Sequence, residues 1–166
     1  MQVMFHLFGL FLIIFTSFTT AFATPRPLEN AMQAVKVQDW QTALQLAAKD
    51  GRIAIDIVEW HLHRSGAGTA RAVSQFMQRN GDWPGLPYLQ KQSEEAFVYA
   101  PTDVVLDFFE RHEPVTAIGG FAHAKALSAV GQSDAARRVA QDIWVERPMG
   151  YKVQQAFLKN FSSELN

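Results

Sequence analysis

The chain has 166 residues, a formal net charge of −1 and no cysteine, and all of its 15 basic and 16 acidic side chains lie beyond residue 23. Without cysteine there are no disulfides, thiol nucleophiles, thiolate zinc sites or iron–sulfur clusters. The near-neutral charge, with a pI of about 6.5, gives no positive field to condense on phosphates, so nucleic acid is not an expected partner. The length fits one domain rather than two.

The chain opens with an apolar run from Leu7 to Phe15, a Thr/Ser-rich stretch to Thr20, and Ala21-Phe22-Ala23 ahead of Thr24-Pro25-Arg26-Pro27. A run this short falls well below the roughly 20 residues that span a bilayer as a helix, and the order is that of a secretory signal with a small-residue cleavage site. Residues 1–23 are therefore read as a signal peptide cut after Ala23. Residues 24–166 then form a periplasmic domain with no stable membrane span after cleavage. No Lys or Arg precedes the run, which keeps open the alternative of an inner-membrane protein anchored by the uncleaved segment.

Past Pro27 the spacing is helical and no stretch alternates as a strand does, which predicts an all-α fold. Trp40, Ala43, Leu44, Ala47 and Ala48 recur at i, i+3, i+4, i+7 and i+8, one face of a helix turned to a core. Asp39 is the expected N-cap and Gly51 the stop. Ile53 to Leu62 is apolar at seven of ten positions, which predicts a helix enclosed on most sides. Ser65-Gly66-Ala67-Gly68 ends it and Thr69 caps the next; Asn80-Gly81 ends that one, and Pro84 is placed in the first turn of its successor. Pro101-Thr102 and Glu113-Pro114 bracket a helix carrying Val105, Phe108 and Phe109. Ser133 is the expected cap of the helix whose stripe is Ala136, Val139, Ala140, Ile143 and Trp144. Ala43, Leu46 and Ala47 match Ala136, Val139 and Ala140 at an offset of 93 residues, a weak repeat. About nine helices fit between Leu28 and Phe161, joined by short connections that make neighbours antiparallel. The expected architecture is an α-solenoid of antiparallel helical hairpins, a tetratricopeptide-like superhelix, with a core around Trp40, Trp60, Trp83 and Trp144.

The candidate chemistry is sparse. In Glu59-Trp60-His61-Leu62-His63 the two histidines project about 200° apart on a helix, and the Glu59–His63 pair lacks a third ligand on its face. His112 and His123 are isolated. Glu94 and Glu95 project about 100° apart and cannot flank one glycosidic bond as paired glycosidase carboxylates do; they are read, with Arg137-Arg138, as solvated helix surface. Trp83, in Asp82-Trp83-Pro84-Gly85-Leu86, is read as a packing corner, with a stacking platform for a sugar ring as the alternative. No catalytic, cofactor-binding or metal-ligating residue is assigned, and no cofactor is implied.

Ala34, Asp39-Trp40, Ala43-Leu44-Gln45-Leu46-Ala47, Asp56-Ile57-Val58-Glu59-Trp60 and Asn80-Gly81-Asp82-Trp83-Pro84-Gly85-Leu86 together resemble the amino-terminal region of the soluble lytic murein transglycosylases. Val58-Glu59-Trp60 and Asn80 to Leu86 are the most specific pieces. The resemblance implies a U-shaped superhelical scaffold that forms a ring against a carboxy-terminal lysozyme-like domain. That family cleaves peptidoglycan glycan strands between N-acetylmuramic acid and N-acetylglucosamine, leaving a 1,6-anhydro end. Its catalytic Glu-Ser and Gly-Leu-Met-Gln motifs belong to the lysozyme-like domain and have no counterpart here; Ser163-Glu164 has the order reversed. The implied function is a non-catalytic scaffold region, an incomplete or split gene product, whose partners are glycan strands or a separate lysozyme-like domain. The alternative is a stand-alone periplasmic helical-repeat module that binds a protein or glycan partner.

Overall fold

A computed structural model describes residues 26–163 and Leu165; the predicted signal peptide, 1–23, lies outside the described residues. These are all-α, with no strand among them. The helices are α1 (Pro27–Lys36), α2 (Trp40–Ala47), α3 (Arg52–Arg64), α4 (Ala70–Arg79), α5 (Leu86–Ser93), α6 (Thr102–Arg111), α7 (Ala117–Ala129), α8 (Ser133–Glu146) and α9 (Tyr151–Phe161). Short 3₁₀ segments follow α2 (Ala48–Asp50) and α5 (Glu94–Tyr99). No helix among the described residues is long and apolar enough to cross a membrane.

Local chemistry sets most boundaries. The Asp39 carboxylate accepts from the Thr42 amide at 3.1 Å and the Thr69 hydroxyl from the Ala72 amide at 3.3 Å, each satisfying one of the orphan amides of a helix start. Two boundaries differ from expectation. Ser133 is not the cap of α8 but its first residue; Gln132 precedes it, with no side-chain capping bond. The backbone makes the start itself, Ala136 donating to the Gln132 carbonyl at 2.9 Å. Pro84 lies before α5, not in its first turn, where Pro87 sits instead. Gly85 explains the delay: it turns the chain through a left-handed conformation, φ 71°, a geometry that glycine adopts without steric cost.

Three apolar clusters follow one another along the chain. Ala31, Ala34, Val35, Ala43, Ala47, Ala54 and Val58 join α1, α2 and α3. Phe76, Leu89, Phe97, Phe108 and Phe109 join α4, α5, the second 3₁₀ segment and α6, and Ala122 and Ala126 of α7 close that cluster. Phe121, Ile143, Phe157 and Phe161 join α7, α8 and α9. The alanines of the weak repeat, Ala43, Ala47, Ala136 and Ala140, are all buried. The four tryptophans are not the centre of the core: each is half-buried at a cluster rim, and the fully enclosed large side chains include Phe76, Phe97, Phe108 and Phe157. An indole is large and carries an N–H that needs a partner, whereas a phenyl ring can be sealed in without one.

The enclosed helix is also not the expected one. α3 leaves Ile53 74% exposed, and its Ile55, Ile57 and Trp60 are only half-buried. α7 is buried around most of its circumference, through Ala117, Gly119, Gly120, Phe121, Ala122, Ala124, Ala126 and Leu127. Its side chains are small enough for other elements to close in from both the second and third clusters.

Candidate functional site

Glu94 departs most from the sequence reading. Expected on a solvated surface, it is completely buried, while Glu95 beside it is exposed. Its Oε1 accepts from Gln90 Nε2 at 2.9 Å and the Val115 amide at 2.8 Å; its Oε2 accepts from the Thr116 amide at 2.7 Å and from the Thr116 hydroxyl. That hydroxyl in turn accepts from the Gly119 amide at 3.0 Å. Burying a carboxylate is costly unless donors surround it, and the entrance of α7 supplies them along with the positive end of its dipole. Gly119 is required here because a Cβ would stand 2.2 Å from Glu94 Oε2. With both oxygens engaged and no solvent access, Glu94 fastens α5 to the start of α7. It has no free face for a substrate.

The Glu59–His63 cluster is likewise structural. Glu59 Oε2 accepts from Arg52 at 2.9 Å and from Arg79 at 2.7 Å. Asp56 joins the same network, accepting from Arg52, and from Arg79 and Asn80 at 3.4 Å each. Burial pushes the Asp56 carboxyl up, but the bond from Arg52, aided by Asn80 and Arg79, holds it below its ordinary value. His63 is fully buried, and neither ring nitrogen has a hydrogen-bond partner. It meets Phe76 edge-on at 5.3 Å. Burial, with the Arg79 charge second, lowers its pKa to about 4, so it is neutral at pH 7. A Cβ on Gly68 would stand 2.1 Å from its Nδ1. His112 packs on Phe108 and His123 stacks on Phe109, with centroids 4.7 and 5.1 Å apart.

The open chemistry lies between α3 and the loop before α5. Ile57, Trp60, His61, Asp82, Trp83 and Pro84 line a groove of about 370 Å³. Trp60 Nε1 donates to the Pro84 carbonyl at 3.0 Å, which fixes the indole and holds the loop against the helix. Trp83 is anchored from behind by Phe76, edge-on at 5.6 Å, so the packing-corner reading describes its inner edge while the rest of the ring is left for the groove. The Arg64 guanidinium lies over the Trp60 ring at 4.3 Å and over Tyr88 at 4.6 Å, tying α3 to α5. Gly85 makes room, since a Cβ there would meet Arg64 Nη1 at 2.6 Å. Burial, then the Arg64 charge, lowers the His61 pKa, leaving a neutral imidazole beside the groove.

The sequence groups Trp60 and Trp83 in a tryptophan-centred core, whereas the structure brings them together at the walls of an open groove. The apolar surplus of α3 was the available signal, taken for enclosure when it marks an uncovered wall. Comparison of the chain with models of protein families, with curated proteins and with solved structures finds no match in any of the three.

Proposed function

We propose that this chain is a non-catalytic helical scaffold of the bacterial cell envelope, a superhelix of antiparallel hairpins akin to the amino-terminal region of soluble lytic murein transglycosylases. It works beside peptidoglycan glycan strands or beside a separate lysozyme-like domain. One observation carries the reading: Trp60 and Asp82-Trp83-Pro84, drawn from the two most specific pieces of the resemblance, are joined through the Trp60–Pro84 hydrogen bond and share one groove. The succession of three cores along the chain supports the solenoid, because each hairpin of such a stack buries its apolar face on the next.

The positions of the two candidate glutamates support a scaffold role rather than catalysis. Cleaving a glycosidic bond needs a carboxyl group at the leaving oxygen; Glu94 is sealed and Glu59 is ion-paired with Arg52 and Arg79. The test is to incubate the purified protein with sacculi, pellet them, and analyse the supernatant by mass spectrometry. The protein is expected in the pellet with no 1,6-anhydromuropeptides released. Release of such products that is lost in Glu59→Gln or Glu94→Gln would overturn the reading, as would a protein that stays entirely in the supernatant.

A further inference from the structure

We propose that the groove between Trp60 and Trp83 is a binding site for one pyranose ring of an oligosaccharide, with the Trp83 indole as platform and Asp82 and His61 as the hydrogen-bonding pair. This deepens the glycan reading above and rests on it only for where the sugar comes from.

The volume, about 370 Å³, falls in the range of roughly 300–1,000 Å³ found for small-ligand sites. Its walls decide the chemistry. Trp60 has its N–H committed to Pro84 and Arg64 over its ring, so it offers a fixed wall and no further donor. Trp83 is held by Phe76, and Ile57 and Pro84 complete the apolar lining. Against these flat surfaces stand two polar groups: the exposed Asp82 carboxylate, which only accepts, and His61, whose neutral imidazole has one donor and one acceptor.

A pyranose is apolar on its C–H faces and hydroxylated around its edge, so it uses both kinds of surface at once. A phosphate-bearing ligand is excluded by a lining that includes a carboxylate and no Lys or Arg. A cationic ligand finds the Trp60 ring already covered by Arg64. An apolar peptide side chain fills the walls but leaves Asp82 and His61 without function. The site is also pre-formed, through the Trp60–Pro84 bond, the Phe76–Trp83 contact and the left-handed Gly85. Binding therefore need not bear the cost of ordering the loop.

The test is titration of the full chain with a β-1,4-linked N-acetylglucosamine tetramer, followed by tryptophan fluorescence and calorimetry. Saturable binding is expected, weakened about tenfold or more by Trp83→Ala and by Asp82→Asn, while Trp83→Phe keeps most of the affinity. Asp82 is exposed, so Asp82→Asn should melt with wild type and separates lost binding from lost folding. No saturable binding, equal binding by wild type and both variants, or saturation by an apolar peptide but not by the tetramer would each overturn the site. Sacculus pelleting and tetramer binding both unchanged in the two variants refute this groove and leave the scaffold reading standing. Tetramer binding that is lost in the variants, in a protein that ignores sacculi, keeps the groove and removes the scaffold reading.

Discussion

Helices α3 and α7 have 13 residues each, yet α7 is sealed and α3 is open. α3 carries four charged side chains, Arg52, Asp56, Glu59 and Arg64, against Lys125 alone in α7, and the two also differ in side-chain size. α7 presents alanines and two glycines, and neighbours approach until a Cβ on Gly120 would stand 2.3 Å from Ile143 Cγ1. α3 carries isoleucines and a tryptophan, which hold neighbours away and leave apolar surface in a groove. Enclosure follows from how closely other elements can approach and from how few charged side chains a segment must keep in water.

The sealed side should be the fragile one. Phe108→Ala empties a fully buried site and should cost about 3–5 kcal/mol in urea denaturation. Glu94→Ala should cost a similar amount, about 3–5 kcal/mol, because it strips the buried donors at Val115 and Thr116 of their acceptor. Either variant unfolding like wild type would remove α7 and its entrance from the centre of the fold.

His63 gives a pH signature on the α3 side. Its folded pKa of about 4 lies below the ordinary 6.5, so the unfolded chain binds more protons between those values. The stability it protects is complete above pH 6.5 and is lost as pH falls toward 4, up to about 3 kcal/mol in all. Urea midpoints measured from pH 7.5 to 4 should fall more steeply for wild type than for His63→Leu; parallel curves would refute a buried neutral imidazole. Smaller effects belong to the open wall. Trp60→Ala should cost about 1–3 kcal/mol, less than a sealed aromatic, since the ring is half-buried and loses one hydrogen bond and its rim packing. Ile53→Ala, at a residue 74% exposed, should stay within about 0.5 kcal/mol. A thermal melt comparing these two with wild type checks the order.

Helix positions were readable because their signals are local: Asp39 and Thr69 cap as their residue types dictate, and Gly51 turns with φ 91°. The burial of Glu94 was not, because its donors at Val115 and Thr116 are 21 and 22 residues away and nothing next to Glu94 in sequence announces them. The unpartnered His63 was equally hidden, since a histidine one turn from Glu59 reads as polar surface until α4 covers it. Trp60 and Trp83 were legible as aromatics, and their place at the walls of an open groove was not. Their groove arises from a hydrogen bond spanning 24 residues.

Hydrogen–deuterium exchange with and without the N-acetylglucosamine tetramer tests most directly the claim that a sealed α7 side supports an open, ligand-taking α3 side. The account predicts slowest exchange in α7 without ligand, and added protection on binding confined to residues 57–64 and 82–85. Exchange in α7 as fast as in α3, or ligand protection that appears at α7 and not at the groove, would contradict it.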